Sequence, residues 1–420
     1  METSYRLPYW HCRLMLQKAD VHLYEKDYNS LISTLTAASD YAEQANAPHT
    51  RILCLLTKGA YLLITKNFNE AVSVLNFTHT LVENYHGPKA AVLNTLYQII
   101  QVTHLLGFGL IKAAKPHMKS LQHCVKKLNN ETPTESEGLL NAECFDWLTL
   151  EQTKILIYLV SMMHSVLAGN TEKALSFARK AFAYINSRKG SSDGSKVLLV
   201  FEAHLLELVV SCLLIQGNCT QAGEKLQEAI NICHSHSQMT YSHRAVLHTL
   251  LGAYAFATNN DERSVAQFQT ALQHTNSLEL KVFINVNLAM TYLRIGASKI
   301  REMMAIMDFL QSEDVNSIHS KNLKCAVSFV KGLNAYHQVR PHEAKRHLRE
   351  TISLSNSNEL SKLSACALLV LGQIFLSLGN HKEARDMLDP ACKLTHKISD
   401  KMLQSWATSL LIGNPHMMIT

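Results

Sequence analysis

Four potential metal ligands crowd into "CHSHSQMTYSH": Cys233, His234, His236 and His243 offer the thiolate and imidazole donors that hold zinc and similar ions. Their spacing matches no paired-ligand motif, and the stretch falls where one amphipathic pattern ends, so it reads as a polar helix terminus. A second string, "GSSDG" at 190–194, places Ser192 in the G-x-S-x-G frame of a hydrolase nucleophile. That frame works only on a sharp strand-to-helix turn. Here it follows the helical "KALSFARKAFAYIN" inside a Ser/Gly stretch, which is the composition of a linker. "GNCTQAGEK" at 217–225 lacks the glycine spacing of a phosphate loop and reads as a turn between helices.

Positive charge is the remaining chemistry. Lys112, Lys115, Lys119, His123 and Lys126 step by three and four along one helix, and Ala114, Met118, Leu121, Val125 and Leu128 form the opposite, apolar stripe. Such a helix packs its apolar side and leaves its cations in water, whether or not a phosphate or acidic peptide meets them. In "RPHEAKRHLRE" at 340–350 the bases are offset by Glu343 and Glu350, each at helical distance from Arg346. The sequence therefore predicts no catalytic, cofactor-binding or metal-binding residue, and no enzyme.

The elements that carry these residues are helices. With 47% hydrophobic and 18% charged residues in 420, the chain can bury a large core, and 8 Pro with 16 Gly leave little punctuation between helical patterns. A net charge of +6 does not by itself imply a nucleic-acid partner. The 10 Cys are scattered singly, as buried thiols of a reducing compartment would be. The N-x-[ST] strings at Asn76, Asn130 and Asn218 are then chance matches. "METSYRLPYWHCRL" has no charged leader before an apolar core, so no secretory signal is expected. "ILIYLVSMMHSVLA" at 155–168, read as the most apolar stretch, is too short to span a bilayer, and no membrane association is expected.

One pattern recurs along the whole chain. "LLVLGQIFLSLGNHKEARDML" carries Gly372 and, 12 residues on, Ala384, each within a helical apolar pattern. Gly59 with Ala71, Gly332 with Ala344 and Gly252 with Ser264 repeat it, and weaker copies anchor at Ala19/Leu31, Val102/Ala114, Met162/Ala174, Val210/Ala222 and Ala289/Arg301. A glycine costs a helix interior about 1 kcal/mol relative to alanine, so its return must be close packing against the second helix. Nine helical hairpins are predicted, as one continuous all-α solenoid over 1–420, a right-handed superhelix interrupted by polar loops at 128–143 and 186–196. The first loop exposes Thr132-Pro133, a candidate for proline-directed phosphorylation. The best copy, Leu368-x2-Leu371-Gly372-x2-Phe375 then Ala384-x3-Leu388-x2-Ala391, resembles the tetratricopeptide (TPR) repeat.

Longer strings are more specific. "PYWHCRL" (8–14), "WLTLEQTKILIYLVSMMHSVLAGNTEKA" (147–174), "LHTLLGAYAFATNNDERSVAQFQTALQHTN" (247–276) and "EAKRHLRETISLSNSNELSKLSACALLVLGQIFLSLGNHKEARDM" (343–387) resemble the TPR subunit family of the cohesin loader, the MAU type that partners Nipped-B. The resemblance implies a nuclear, chromatin-associated, non-enzymatic scaffold. It would wrap the extended N-terminal segment of the large HEAT-repeat loader subunit and promote cohesin association with chromatin and sister-chromatid cohesion. It would meet cohesin and chromatin indirectly, without binding DNA itself. It also implies a chain shortened at both ends, since members carry further repeats before "PYWHC" and more sequence after "SWATSLLIG". Two alternatives stay open. One is a TPR adaptor for short acidic peptides, with Lys58 and Lys331 as its cations; the other is a nucleic-acid-binding solenoid using the stripe at 112–126.

Overall fold

A computed structural model describes residues 7–87, 89–130, 147–188, 195–358, 360–398 and 401–412, and no strand occurs among them. Ser192 with its "GSSDG" frame and the Thr132-Pro133 site lie outside the described residues. The helices are α1 (Leu7–Glu25), α2 (Tyr28–Gln44), α3 (Pro48–Ile64), α4 (Phe68–Asn84), α5 (Ala90–Gly107), α6 (Ile111–Asn130), α7 (Leu150–Leu167), α8 (Thr171–Arg188), α9 (Ser195–Ile215) and α10 (Cys219–His234). They continue as α11 (Ser237–Ala257), α12 (Asp261–Gln273), α13 (Leu278–Ile295), α14 (Ile300–Gln311), α15 (Glu313–Asn316), α16 (Lys321–His337), α17 (Pro341–Asn358), α18 (Ser361–Ser377), α19 (His381–Lys397) and α20 (Lys401–Leu411). Each predicted pair of anchors falls on two consecutive helices, so the nine hairpins are present among the described residues. Helix α6 runs to Asn130, α8 to Arg188 and α9 starts at Ser195, so helical structure extends into both stretches expected to be loops.

A single turn chemistry joins the helices of each hairpin. The residue seven places after the first anchor has positive φ in all nine: Lys26, Lys66, Gly109, Gly169, Gly217, Asn259, Gly296, Val339 and Gly379. This left-handed step ends the first helix. The next residue then donates its N–H to the carbonyl five places back, as Asp27 does to His22, Asn67 to Leu62, Asn218 to Leu213 and Asn380 to Phe375, each at 2.9 Å. The same residue type caps the second helix, with the side chains of Asp27, Asn170, Asn218 and Asn260 accepting from the backbone N–H three places on at 3.1–3.3 Å. "GNCTQAGEK" is thus one of these turns, as expected.

The seventh hairpin breaks the rule and corrects one anchor. Gly296 has φ 88° and ψ −145°, a conformation open only to glycine, and a 3-10 turn, Ala297–Lys299, follows it. The added turn rotates α14, leaving Arg301 exposed and giving the buried position to Met303.

The glycines meet a different residue from the one the spacing suggested. A Cβ on Gly372 would lie 2.6 Å from Leu388, on Gly59 2.7 Å from Leu75, on Gly252 2.7 Å from Phe268 and on Gly332 2.9 Å from Leu348. All four partners sit 16 places on, and all are buried. Glycine therefore makes room for a large side chain of the second helix. The small residue 12 places on still permits close approach, as where Ser264 Oγ donates to the Gly252 carbonyl at 3.0 Å. In the fourth hairpin the sizes are reversed, Met162 with Ala178, and both are buried.

The contacts gather into two compact units, residues 1–104 with 113–160, and residues 105–112 with 161–420. In the first, α3 packs on α1 and α2. In the second, the first helices form a row in which α9 touches α11, α11 touches α13, α13 touches α16 and α16 touches α18, while α8, α10, α12 and α17 each pack on the first helix of the next hairpin. Each hairpin so buries the apolar face its neighbour leaves open. Arg294 on α13 staples this packing: its guanidinium donates to Asp261, to the Phe256 carbonyl at 3.0 Å and to Asn259 Oδ1 at 3.2 Å, and lies 3.7 Å from the Phe256 ring centroid.

The most apolar helix is α9 and not the stretch at 155–168. By length and composition Lys196–Ile215 could cross a membrane. Its Ala203, Leu205, Leu206, Val210 and Cys212 are instead buried against protein, and it carries Glu202, His204 and Glu207. It reads as a core helix.

Candidate functional site

The structure does not assemble Cys233, His234, His236 and His243 as a set. Cys233 is buried in α10, His234 and His236 face solvent, and His243 lies on α11. His243 meets two residues of α9 that sequence spacing did not single out. Its Nδ1 donates to Glu207 Oε1 at 2.6 Å, and His204 Nδ1 donates to Glu207 Oε2 at 3.0 Å. The imidazole centroids are 4.7 Å apart, and one donor atom from each of the three residues lies within 4.8 Å of the others. Two imidazoles and a carboxylate are a zinc-compatible donor set. Here, though, both carboxylate oxygens are already occupied, which satisfies a buried Glu without an ion.

Electrostatics fits that reading. Burial pushes the Glu207 carboxyl up, but the hydrogen bonds and charges of His204 and His243 outweigh it and hold the group below its ordinary 4.5. Burial, helped by the Glu207 charge, pushes the nearby Cys233 thiol up to about 11, so it is inert at neutral pH. A carboxyl whose pKa falls on folding adds stability above its unfolded pKa and loses it as pH falls through the folded one. The urea midpoint advantage of the wild type over Glu207→Gln is therefore expected to be full at pH 7 and to vanish in acid. An advantage unchanged down to pH 3 would show that the carboxylate charge contributes nothing.

The basic stripe is placed as expected. Lys112, Lys115, Lys119 and His123 are exposed, while Ala114, Met118, Leu121 and Leu128 are buried; the Lys126 side chain lies outside the described residues. Lys112 Nζ donates to the Asn356 carbonyl at 3.3 Å, which occupies one of the stripe's cations. In α17 the pairing differs from expectation. Glu343 is taken by Arg340 and, at 3.9 Å, by His347, and Glu350 lies 3.6 Å from His347, so neither glutamate pairs with Arg346. His347 stands within 4 Å of both glutamates, but burial pulls its imidazole below the ordinary value and its Nε2 meets the Arg346 guanidinium at 3.2 Å. The nine cysteines among the described residues form no disulfide with one another.

Of the two lysines weighed as peptide cations, Lys58 is engaged: its Nζ lies 3.3 Å from Glu70 Oε1 and donates to Thr36 Oγ1 at 2.9 Å. Among the described residues the geometry thus offers packed, cross-linked hairpins and no assembled reaction centre.

A family model described as "Cohesin loading factor" matches residues 1–419. The MAU2 chromatid cohesion factor homologs of Drosophila yakuba and Drosophila ananassae are 33% and 34% identical to this chain over 418 residues, covering 98% of it. The chain belongs to the cohesin loading factor family. It spans 66% and 65% of the length of those two cohesin loading factor relatives, and 67% of the homolog of Aedes aegypti, which is 34% identical. The family resemblance carried by "PYWHCRL" and the longer strings is borne out. Two solved structures share the fold of this chain at 12% identity: a Rap protein complexed with competence and sporulation factor, TM-score 0.64 over 93% of this chain and 99% of that one, and the apo quorum sensor NprR of B. thuringiensis, TM-score 0.57 over 91% and 98%. At that identity they speak for the helical-hairpin architecture alone.

Proposed function

We propose that this chain is a non-enzymatic scaffold subunit of the cohesin-loading complex, acting in the nucleus, and that its stacked hairpins hold an extended segment of the large HEAT-repeat loader subunit. The family match over residues 1–419 carries the reading. The row of first helices supports it, because a repeat stack presents a surface far longer than a small-molecule pocket and suits a ligand that orders as it binds. Cohesin and chromatin are reached through the large subunit. The engagement of Lys58 by Glu70 and of Lys112 by Asn356 weighs against an acidic-peptide adaptor and against direct DNA binding by the stripe. Depleting the protein from cells is expected to lower chromatin-bound cohesin, measured by fractionation. Unchanged cohesin on chromatin would count against the role.

A further inference from the structure

Lys331 is the counterpart of Lys58 in the eighth hairpin, and it lacks the partner that Lys58 has. Each lysine directly precedes the first anchor, Gly59 or Gly332, and each hairpin has a glutamate 12 residues on, Glu70 or Glu343. In the second hairpin the two pair at 3.3 Å. In the eighth, Arg340 holds Glu343, and Lys331 has no hydrogen bond or ion pair among the described residues. It is half-buried all the same. Burial pulls its ammonium below the ordinary lysine value; Glu350 opposes that pull and Arg346 adds to it.

The lysine lines a cavity of about 270 Å³. The cavity forms at the irregular junction after the seventh hairpin, where the short α15 is inserted before α16. Val282, Val315, Ile318 and Val327 make apolar walls, and Lys324, Lys331 and Glu350 supply the charges, two cations against one anion. Sites for drug-sized ligands run to about 300–1,000 Å³. This one has room for a side chain or two, with an excess of positive charge.

We propose that the cavity anchors the extended partner segment: an apolar side chain of the segment packs against Val282, Ile318 and Val327, and a neighbouring Asp or Glu pairs with Lys331, as Glu70 pairs with Lys58. The proposal rests on the scaffold reading given above and adds the chemistry of one contact. The segment supplies the carboxylate that Glu343 withholds, and the half-buried setting makes that contact stronger than a surface ion pair.

The test measures binding of the labelled N-terminal segment of the large loader subunit to the full chain, wild type and Lys331→Gln, with each Asp and Glu of the segment changed in turn to its amide. Lys331→Gln is expected to weaken binding about tenfold, in line with a charge-assisted hydrogen bond, without lowering the melting temperature. One segment variant should weaken binding equally, and combining the two should cost no more than either alone. Full affinity for Lys331→Gln, or additive losses for every carboxylate, overturns the anchor while the scaffold reading stands. Failure of the wild-type chain to bind the segment overturns both.

Discussion

Trp406→Ala is expected to cost about 3–5 kcal/mol, the range for truncating a buried tryptophan. Trp406, Ala407 and Leu410 are the buried side of α20, and they join the core cluster that holds Leu371, Leu388 and Ala391 of α18 and α19. The helix covers an apolar face that α18 and α19 leave open, as each element of a repeat stack does for its neighbour. The Trp406 indole N–H is buried with no hydrogen-bond partner. Trp406→Phe removes that orphan donor while keeping an aromatic ring in the core, so its loss should be well under half of that for alanine. Because hairpins contact mainly their neighbours, hydrogen exchange should rise in α18, α19 and α20 while α1–α4 stay protected. Equal melting temperatures for wild type and Trp406→Ala would show that α20 does not cover that face.

The second large effect concerns Gly372. Replacing it by Met should destabilise the chain by about 1–3 kcal/mol through overpacking, since even a Cβ would lie 2.6 Å from Leu388 Cδ2 and 2.7 Å from its Cγ. Leu388 is buried and cannot move aside cheaply. Gly372→Ala is a closer contest, because the helix propensity it gains, about 1 kcal/mol, offsets part of the clash. The informative variant is the double one. Gly372→Met with Leu388→Ala recreates the large-then-small arrangement of Met162 and Ala178 in the fourth hairpin, and should recover most of the loss. A double variant as unstable as the sum of the singles would refute complementary volume as the reason for glycine.

The hairpins were legible because helix, turn and helix must each bury a face every repeat, which leaves Gly or Ala at fixed places such as 59/71 and 372/384. The partner of each glycine was not, because a contact 16 residues away depends on how two helices cross, and spacing alone pointed to the residue at 12. A further signal was available: Asn or Asp follows the left-handed turn residue at 27, 67, 170, 218, 260 and 380, and each marks the start of a second helix. It is absent at Leu110, Ala297 and Arg340, of which only Ala297 opens an irregular turn, so it marks hairpins without foretelling the exception that moves Arg301. The stretch at 233–243 is a helix end, as its composition suggested, with α10 closing at His234 and α11 opening at Ser237, so its neighbours in sequence diverge. The true neighbours of His243 lie on α9, where His204 and Glu207 stand three apart in an otherwise apolar run, a pattern that marks polar groups meeting a neighbouring helix. The cavity at Lys331 could not be read from sequence at all, because it depends on which base Glu343 chooses.

Co-expression of this chain with the N-terminal segment of the large loader subunit, followed by size exclusion and limited proteolysis, is the most direct measurement of the scaffold role. A stoichiometric complex is expected, in which the segment resists protease along most of its length. Free chain and a rapidly digested segment, eluting apart at micromolar concentration, would contradict it.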